Sequence, residues 1–269
     1  MNKDDVLAFI YKTDKMRNPI RKYPNKTVVF LYDEANPPIY SFQAASLRLG
    51  CKILNIRKNA EDSFEDTIRT IQHYGHAIVL RHKEEEDIRK AISISRAPII
   101  QSGHEFLTDI YTIYKELKYR GIDMNSSVRK VLNITFLGYN RNIQALVFHL
   151  NLFPKIDCHY ITDLNSPDYN TDTDVLYVSR PQKEESYCVD RTFLSQSKPT
   201  MIVMHNLPRK KEISKDIDTN PRSVYFQQSE NDLYVRMAIL DKLFSIRGYP
   251  TFYELFWIYM AKLASMFSF

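Results

Sequence analysis

Three arginines could bind an anion, because each follows a segment whose apolar and β-branched composition is typical of a strand. They are Arg81, Arg141 and Arg180. A guanidinium group presents a planar fork of N–H donors that fits a carboxylate or a phosphate. Pairing with a surface acid would explain each arginine taken singly. Three arginines at equivalent strand ends favour an anion site, because open α/β sheets bind ligands at the carboxyl ends of their strands.

The elements that must position these arginines alternate between strands and helices. In the first half of the chain, the residue patterns predict strands at 27–32, 52–56, 77–81 and 98–101. They predict helices at 4–17, 42–49, 64–73, 84–94 and 105–119, with Ser41 and Ser63 as N-caps. After Gly121 the alternation starts again, with strands at 133–138, 159–162, 175–179 and 201–204 and helices at 142–151, 230–244 and 251–267.

Strands separated by helices imply parallel sheets with right-handed crossovers. We therefore predict an α/β fold of two domains, each a parallel sheet flanked by helices. The first domain is assigned to residues 1–120, including the linking helix, and the second to residues 121–246. Residues 247–269 are predicted to form an additional apolar helix.

The composition argues against several functional classes. The 269 residues carry 37 Lys and Arg against 32 Asp and Glu, a formal net charge of +5, with basic and acidic residues interleaved. We therefore expect no nucleic-acid partner. The six glycines form no nucleotide-binding loop and the three cysteines have no CxxC spacing, so we expect no cofactor and no metal. The odd cysteine count and the absence of a secretory signal favour the cytoplasm.

Six ordered segments carry a family resemblance: SFQAASLRLG (41–50), EDTI (65–68), AIVLRH (77–82), DVLYVSRPQKE (174–184), MHNLPR (204–209) and YFQQSEN (225–231). With their spacing, they resemble the aspartate carbamoyltransferases of the aspartate/ornithine carbamoyltransferase family over about residues 3–245. The segments at 174–184 and 204–209 resemble the aspartate enzymes more than the ornithine enzymes. The resemblance implies the two-domain carbamoyltransferase-like fold and a place in pyrimidine biosynthesis.

The resemblance also implies substrate-binding roles for particular residues. It assigns Arg141, Arg180 and Gln182 to the side of the site that binds aspartate. It assigns the main-chain carbonyl of Leu207 as an acceptor for the substrate amine, and Arg81 as the residue that bridges phosphate and carbonyl. These five residues could still hold a dicarboxylate.

Other positions depart from the family pattern. The STRTR motif that cradles phosphate is replaced by Asn36, Pro37, Pro38, Ile39 and Tyr40, where two prolines remove N–H donors and no arginine is present. The stretch between Ile56 and Phe64 is too short for the family's mobile loop. The HPTQ motif is absent, and His104 stands there without its proline and glutamine. We therefore predict no catalytic residue in this chain and interpret His104 as a helix-start or surface histidine.

These departures predict a catalytically inactive relative, a pseudoenzyme kept for binding or assembly. The alternative is an active aspartate carbamoyltransferase with a rebuilt phosphate site, and a third hypothesis is a small-ligand sensor. The expected partners are further copies of the chain in a homotrimer, a dicarboxylate ligand, and a partner protein bound through the C-terminal helix.

The last segment of the chain, 252–269, is apolar almost all round. Its residues at helical spacing form one stripe of large apolar side chains: Phe252, Leu255, Phe256, Tyr259, Leu263, Met266 and Phe267. Glu254 and Lys262 interrupt a span that is already short for a membrane helix, so we do not expect a membrane span. Packing within its own domain or trimer is the preferred interpretation, ahead of a partner protein and a membrane surface.

Overall fold

The computed structural model of the chain describes most of the residues. The described ranges are 1–18, 21–33, 40–59, 61–81, 85–101, 105–128, 130–138, 141–181 and 187–245, with main chain only at 85, 141 and 142. The predicted helix at 251–267 lies outside them. Among the described residues, no helix combines the length and the apolar character needed to cross a bilayer.

The chain divides into two compact units. Among the described residues, the first comprises Met1, 7–101 and 233–245, and the second comprises 2–6 and 105–232. In the sequence-based assignment the linking helix belongs to the first domain. In the structure this helix lies in the second unit, where it contacts the first helix after Gly121.

The first unit contains a four-stranded parallel sheet whose strands are β1 (Thr27–Tyr32), β2 (Lys52–Arg57), β3 (Ala77–Leu80) and β4 (Ile99–Gln101). Their order in the sheet is β2-β1-β3-β4. Its helices are α1 (Lys3–Lys15, whose first residues lie in the second unit), α2 (Tyr40–Arg48), α3 (Phe64–Ile71) and α4 (Glu85–Ile94). The inner strands β1 and β3 are continuous apolar runs because both faces of a parallel sheet are covered.

The second unit repeats this architecture with the strands β5 (Leu132–Leu137), β6 (Ile156–Ile161), β7 (Val175–Val178) and β8 (Ile202–His205). Their order in the sheet is β6-β5-β7-β8. Its helices are α5 (Glu105–Tyr119), α6 (Arg141–Leu150), α7 (Arg191–Gln196) and α8 (Tyr225–Ser245), and α8 continues into the first unit. The predicted α/β fold with two parallel, helix-flanked sheets is confirmed.

Several local predictions were tested by the structure. Ser63 caps α3, because its hydroxyl accepts from the Asp66 amide. The prediction for Ser41 was wrong, since α2 begins at Tyr40 and Ser41 lies inside it. The short helix α7, capped by Asp190, was not predicted.

Candidate functional site

The carboxyl ends of β5, β7 and β8 lie side by side, because β7 pairs in parallel with both of the other strands. Gly138 follows β5 with φ +78°, a backbone conformation that favours glycine. A Cβ atom at this position would lie 2.1 Å from the Tyr187 hydroxyl oxygen. That hydroxyl donates to the Ser179 carbonyl oxygen, at 2.9 Å. Tyr187 therefore packs against the residues that follow both β5 and β7.

Residues 205–209 (His-Asn-Leu-Pro-Arg), here called the 205–209 turn, continue from β8. The Leu207–Pro208 peptide bond is cis. The carbonyl oxygen of Pro208 accepts two hydrogen bonds from Arg180, at 3.1 Å from Nε and 2.6 Å from Nη2. The Arg180 guanidinium is thereby held beside Leu207, whose side chain packs against the core of the second unit.

His205 and Glu212 form a buried pair at the start of this turn. His205 Nε2 lies 2.8 Å from Glu212 Oε1, and both side chains are 1% exposed. Burial lowers the pKa of His205 against the opposing hydrogen bond and charge of Glu212, and the positive charges of Arg180 and Arg209 lower it further. Burial opposes ionisation of Glu212, but hydrogen bonds from main-chain amides and from His205 outweigh it and lower the Glu212 pKa. The pair is therefore a neutral histidine that donates from Nε2 to a carboxylate.

Arg209 closes the other end of the turn. Its guanidinium forms a two-pronged ion pair with Asp218, in which Nη2 lies 2.6 Å from Oδ2. The hydrogen bonds from Arg209 lower the pKa of Asp218 to about 2. Because its charge is already compensated, Arg209 holds the turn and is not free for an incoming anion.

The structure locates only part of the predicted site. Arg180 and Leu207 are brought together, as the turn geometry above describes. Arg141 is the first residue of α6, and its side chain lies outside the described residues, as do Gln182 and His104. Arg81 is exposed directly after β3 in the first unit.

The segment that replaces the phosphate motif is also only partly visible. Residues 36–39 (Asn36, Pro37, Pro38 and Ile39) lie outside the described ranges. Tyr40 begins α2 and is 72% exposed. Within the described part of the chain, His, Cys, Asp and Glu side chains form no group of three suited to a metal ion.

Sequence reasoning missed the residues that support the turn. His205 and Glu212 are seven positions apart, a spacing that predicts no contact within one helix or strand. Tyr187 follows a stretch without any regular pattern. For His205 and Glu212, the signal that could have found them is the cluster of polar residues at 205–212, directly after a predicted buried strand.

Two family models match the chain. The carbamoyl-P binding domain of aspartate/ornithine carbamoyltransferase matches residues 2–115, and the Asp/Orn binding domain matches residues 153–243. The aspartate carbamoyltransferase catalytic subunit of Methanocaldococcus jannaschii is 30% identical, covering 90% of this chain and 95% of that protein. The subunit of Sulfurisphaera tokodaii is 32% identical, covering 90% and 96%.

The solved structure of the M. jannaschii catalytic subunit superimposes with a TM-score of 0.77 at 29% identity, over 90% of this chain and 95% of that one. The sequence alignment with that organism's protein spans 299 positions, whereas 90% of this 269-residue chain is only about 242 residues. Within the alignment, more than 50 residues of the relative therefore face gaps in this chain. The matches nevertheless extend over both units, and the chain belongs to the aspartate/ornithine carbamoyltransferase family.

Proposed function

We propose that the chain is an aspartate carbamoyltransferase that joins the carbamoyl group of carbamoyl phosphate to the amine of L-aspartate. One observation carries the proposal. Arg180 is held on the Pro208 carbonyl beside Leu207 in a chain whose relatives with this name match over nine tenths of its length. These relatives support the active alternative better than the expected pseudoenzyme.

The proposed reaction needs two anions held together and one carbonyl polarised. The resemblance assigns Arg141, Arg180 and Gln182 to the carboxylates of aspartate and the Leu207 carbonyl to a hydrogen bond from the amine. It assigns Arg81 to the phosphate and the carbonyl oxygen of carbamoyl phosphate. The amine nitrogen then bonds to the carbonyl carbon, the bond from that carbon to the phosphate oxygen breaks, and the leaving phosphate takes up the proton that the amine loses.

A second candidate is a dicarboxylate-binding protein without transfer activity. It is favoured by the sequence of 36–40, which offers no arginine and lacks two N–H donors. The more than 50 positions without a counterpart in this chain support it as well. Both candidates use the Arg180 site, so they differ only in the chemistry at the phosphate side.

One experiment separates the two candidates. Purified protein is incubated with carbamoyl phosphate and L-aspartate, and N-carbamoyl-L-aspartate is measured against a reaction without protein. We expect turnover that saturates with aspartate and a loss of about 10- to 100-fold in kcat/KM in Arg180→Ala, since a charge-assisted hydrogen bond is typically worth about 1.5–3 kcal/mol. Arg69→Ala, an exposed arginine on α3, is the matched control and should keep the activity.

The outcomes are distinct. Turnover that is unaffected by Arg180→Ala would contradict the assigned role. If no product forms but aspartate raises the melting temperature of the wild type and not of Arg180→Ala, the second candidate holds. If aspartate produces neither effect, both candidates fail.

We also propose that the chain assembles as a closed homotrimer. The support is that its relatives are named catalytic subunits and that rotationally symmetric contacts between identical chains close into rings.

A further inference from the structure

A buried carboxyl group in the second unit joins three elements. Asp109 lies on α5 and is 2% exposed. The Tyr177 hydroxyl, from β7, donates to its Oδ2 at 3.0 Å, and Gln228 Nε2, from α8, donates to its Oδ1 at 2.7 Å. No other buried carboxyl group among the described residues of this unit accepts side-chain hydrogen bonds from both a strand and α8.

Gln228 connects this carboxyl group to the candidate site. Its side-chain amide is buried, and its Oε1 accepts a hydrogen bond from the main-chain N–H of His205 at 3.0 Å. A carboxylate only accepts and a main-chain N–H only donates, so the two partners together fix which way the amide points. His205 is the first residue of the 205–209 turn, and the Pro208 carbonyl of that turn holds Arg180.

We propose that Asp109 is a positioning residue for the anion site: through Gln228 it holds the His205 end of the 205–209 turn and, through Pro208, the guanidinium of Arg180. That the anion is a dicarboxylate rests on the proposed function. Asp109 itself touches no substrate in this arrangement, because it acts through two intervening groups.

The protonation state of Asp109 sets how firmly Gln228 is held. A hydrogen bond to an ionised carboxylate is roughly twice as strong as one to a neutral acid. Burial raises the pKa of Asp109 to about 7, against the hydrogen bonds from Gln228 and Tyr177, and the charges of Glu105 on α5 and Asp232 on α8 raise it further. Burial also raises the pKa of Tyr177 well above its usual value, so the phenol stays protonated while Asp109 titrates.

The expected consequence is tighter dicarboxylate binding as the pH rises through 7. The first measurement is the Kd of succinate by calorimetry between pH 6.5 and 8.5. We expect the wild type to bind about 3- to 10-fold more tightly at the upper end. In Asp109→Asn the Kd of succinate should no longer change with pH and should stay at the weaker value that the wild type has at low pH. The introduced amide would accept from Gln228 and donate to Tyr177, as the protonated acid does. Asp168→Asn, which changes an exposed carboxylate in the same unit, should behave as the wild type.

The second measurement does not depend on ligand binding. The NMR signals of the His205 amide and the Arg180 Nε–H group are followed with pH in the wild-type protein. Both should move with a midpoint near pH 7. Absence of that inflection would overturn the inference, as would the same inflection in folded Asp109→Asn. If succinate does not bind while both signals titrate, the proposed function fails and the positioning role of Asp109 stands.

Discussion

At the scale of single residues, charge compensation distinguishes two arginines at the same end of the 205–209 turn: Arg209, which ends it, and Arg180, which contacts Pro208. Arg209 forms a two-pronged ion pair with Asp218, whereas Arg180 donates to a neutral main-chain carbonyl. Arg180 is exposed, and no described carboxylate forms an ion pair with it. Within the described residues, the positive charge of Arg180 is therefore not compensated by a carboxylate, while Arg209 maintains the turn that holds Arg180.

Asp218→Asn tests the structural half of this pair. The folded pKa of Asp218, about 2, lies below the usual value of 3.8, so its contribution to stability is present above about pH 4 and is lost as the pH falls towards 2. We expect the variant to lose about 1–3 kcal/mol of unfolding free energy at pH 7 and to depend less steeply on pH between 4 and 2. Urea unfolding at several pH values measures both effects.

The matched control for that experiment is Asp168→Asn, which changes an exposed carboxylate in the same unit. It should reproduce the wild-type curve. Equal losses in the two variants, or an unchanged acid dependence in Asp218→Asn, would show that the Arg209–Asp218 pair does not stabilise the fold.

The sequence indicates Arg180 as a candidate, whereas the residues that hold it in place give no regular signal in the sequence. Arg180 can be picked out from the sequence because it follows a predicted apolar strand. His205 and Glu212 contact each other only because the chain after the 205–209 turn comes back to the end of β8, and Gln228 meets Asp109 only because α8 contacts α5 in the second unit. Contacts of this kind depend on the tertiary fold, and no local pattern encodes them.

At the scale of elements, the inner strands were predictable because burial on both faces demands continuous apolar runs. The edge strand β6 begins at Ile156, three residues before the predicted start. The prediction missed this part because the strand is only partly buried and contains polar residues, so it does not read as an apolar run. Helix α8 begins at Tyr225, five residues before the predicted start at Glu230. The prediction missed its first turns because polar side chains, Gln228 and Asn231, are buried there where the helical pattern calls for apolar ones.

The end of β5 gives the element-scale prediction. Gly138→Ala would place a Cβ atom 2.1 Å from the Tyr187 hydroxyl at a φ of +78°. We expect a loss of about 2–4 kcal/mol in unfolding free energy, combining overpacking with a left-handed backbone. Chemical denaturation measures it.

Tyr187→Phe supplies the comparison for Gly138→Ala, because it removes the clashing oxygen but keeps the ring. The alanine substitution should cost less in the Tyr187→Phe background than in the wild type. Equal costs in the two backgrounds would mean that the backbone conformation alone, and not the hydroxyl, requires glycine at 138.

At the scale of the whole molecule, assembly is the first open property. The chain has a mass of 31.8 kDa, so the proposed homotrimer has a mass of about 95 kDa. Light scattering after gel filtration at micromolar concentration should give that value. A monomer or dimer mass over the same concentration range would refute the trimer.

The last prediction concerns residues 247–269, whose expected role remains a proposal because they lie outside the described residues. The stripe defined by the sequence contains seven large apolar side chains, and an exposed patch of that size is unusual for a protein surface. Burying them would contribute on the order of 10 kcal/mol before the entropy cost, at roughly 1.5–3 kcal/mol each.

We therefore expect deletion of 250–269 to cause aggregation, dissociation or loss of a bound partner. Leu255→Glu, on the stripe, should reproduce part of this loss, whereas Ile258→Glu, off the stripe, should not. If the truncated protein keeps its mass, solubility and melting temperature, the stripe is not buried against anything that the assembly needs.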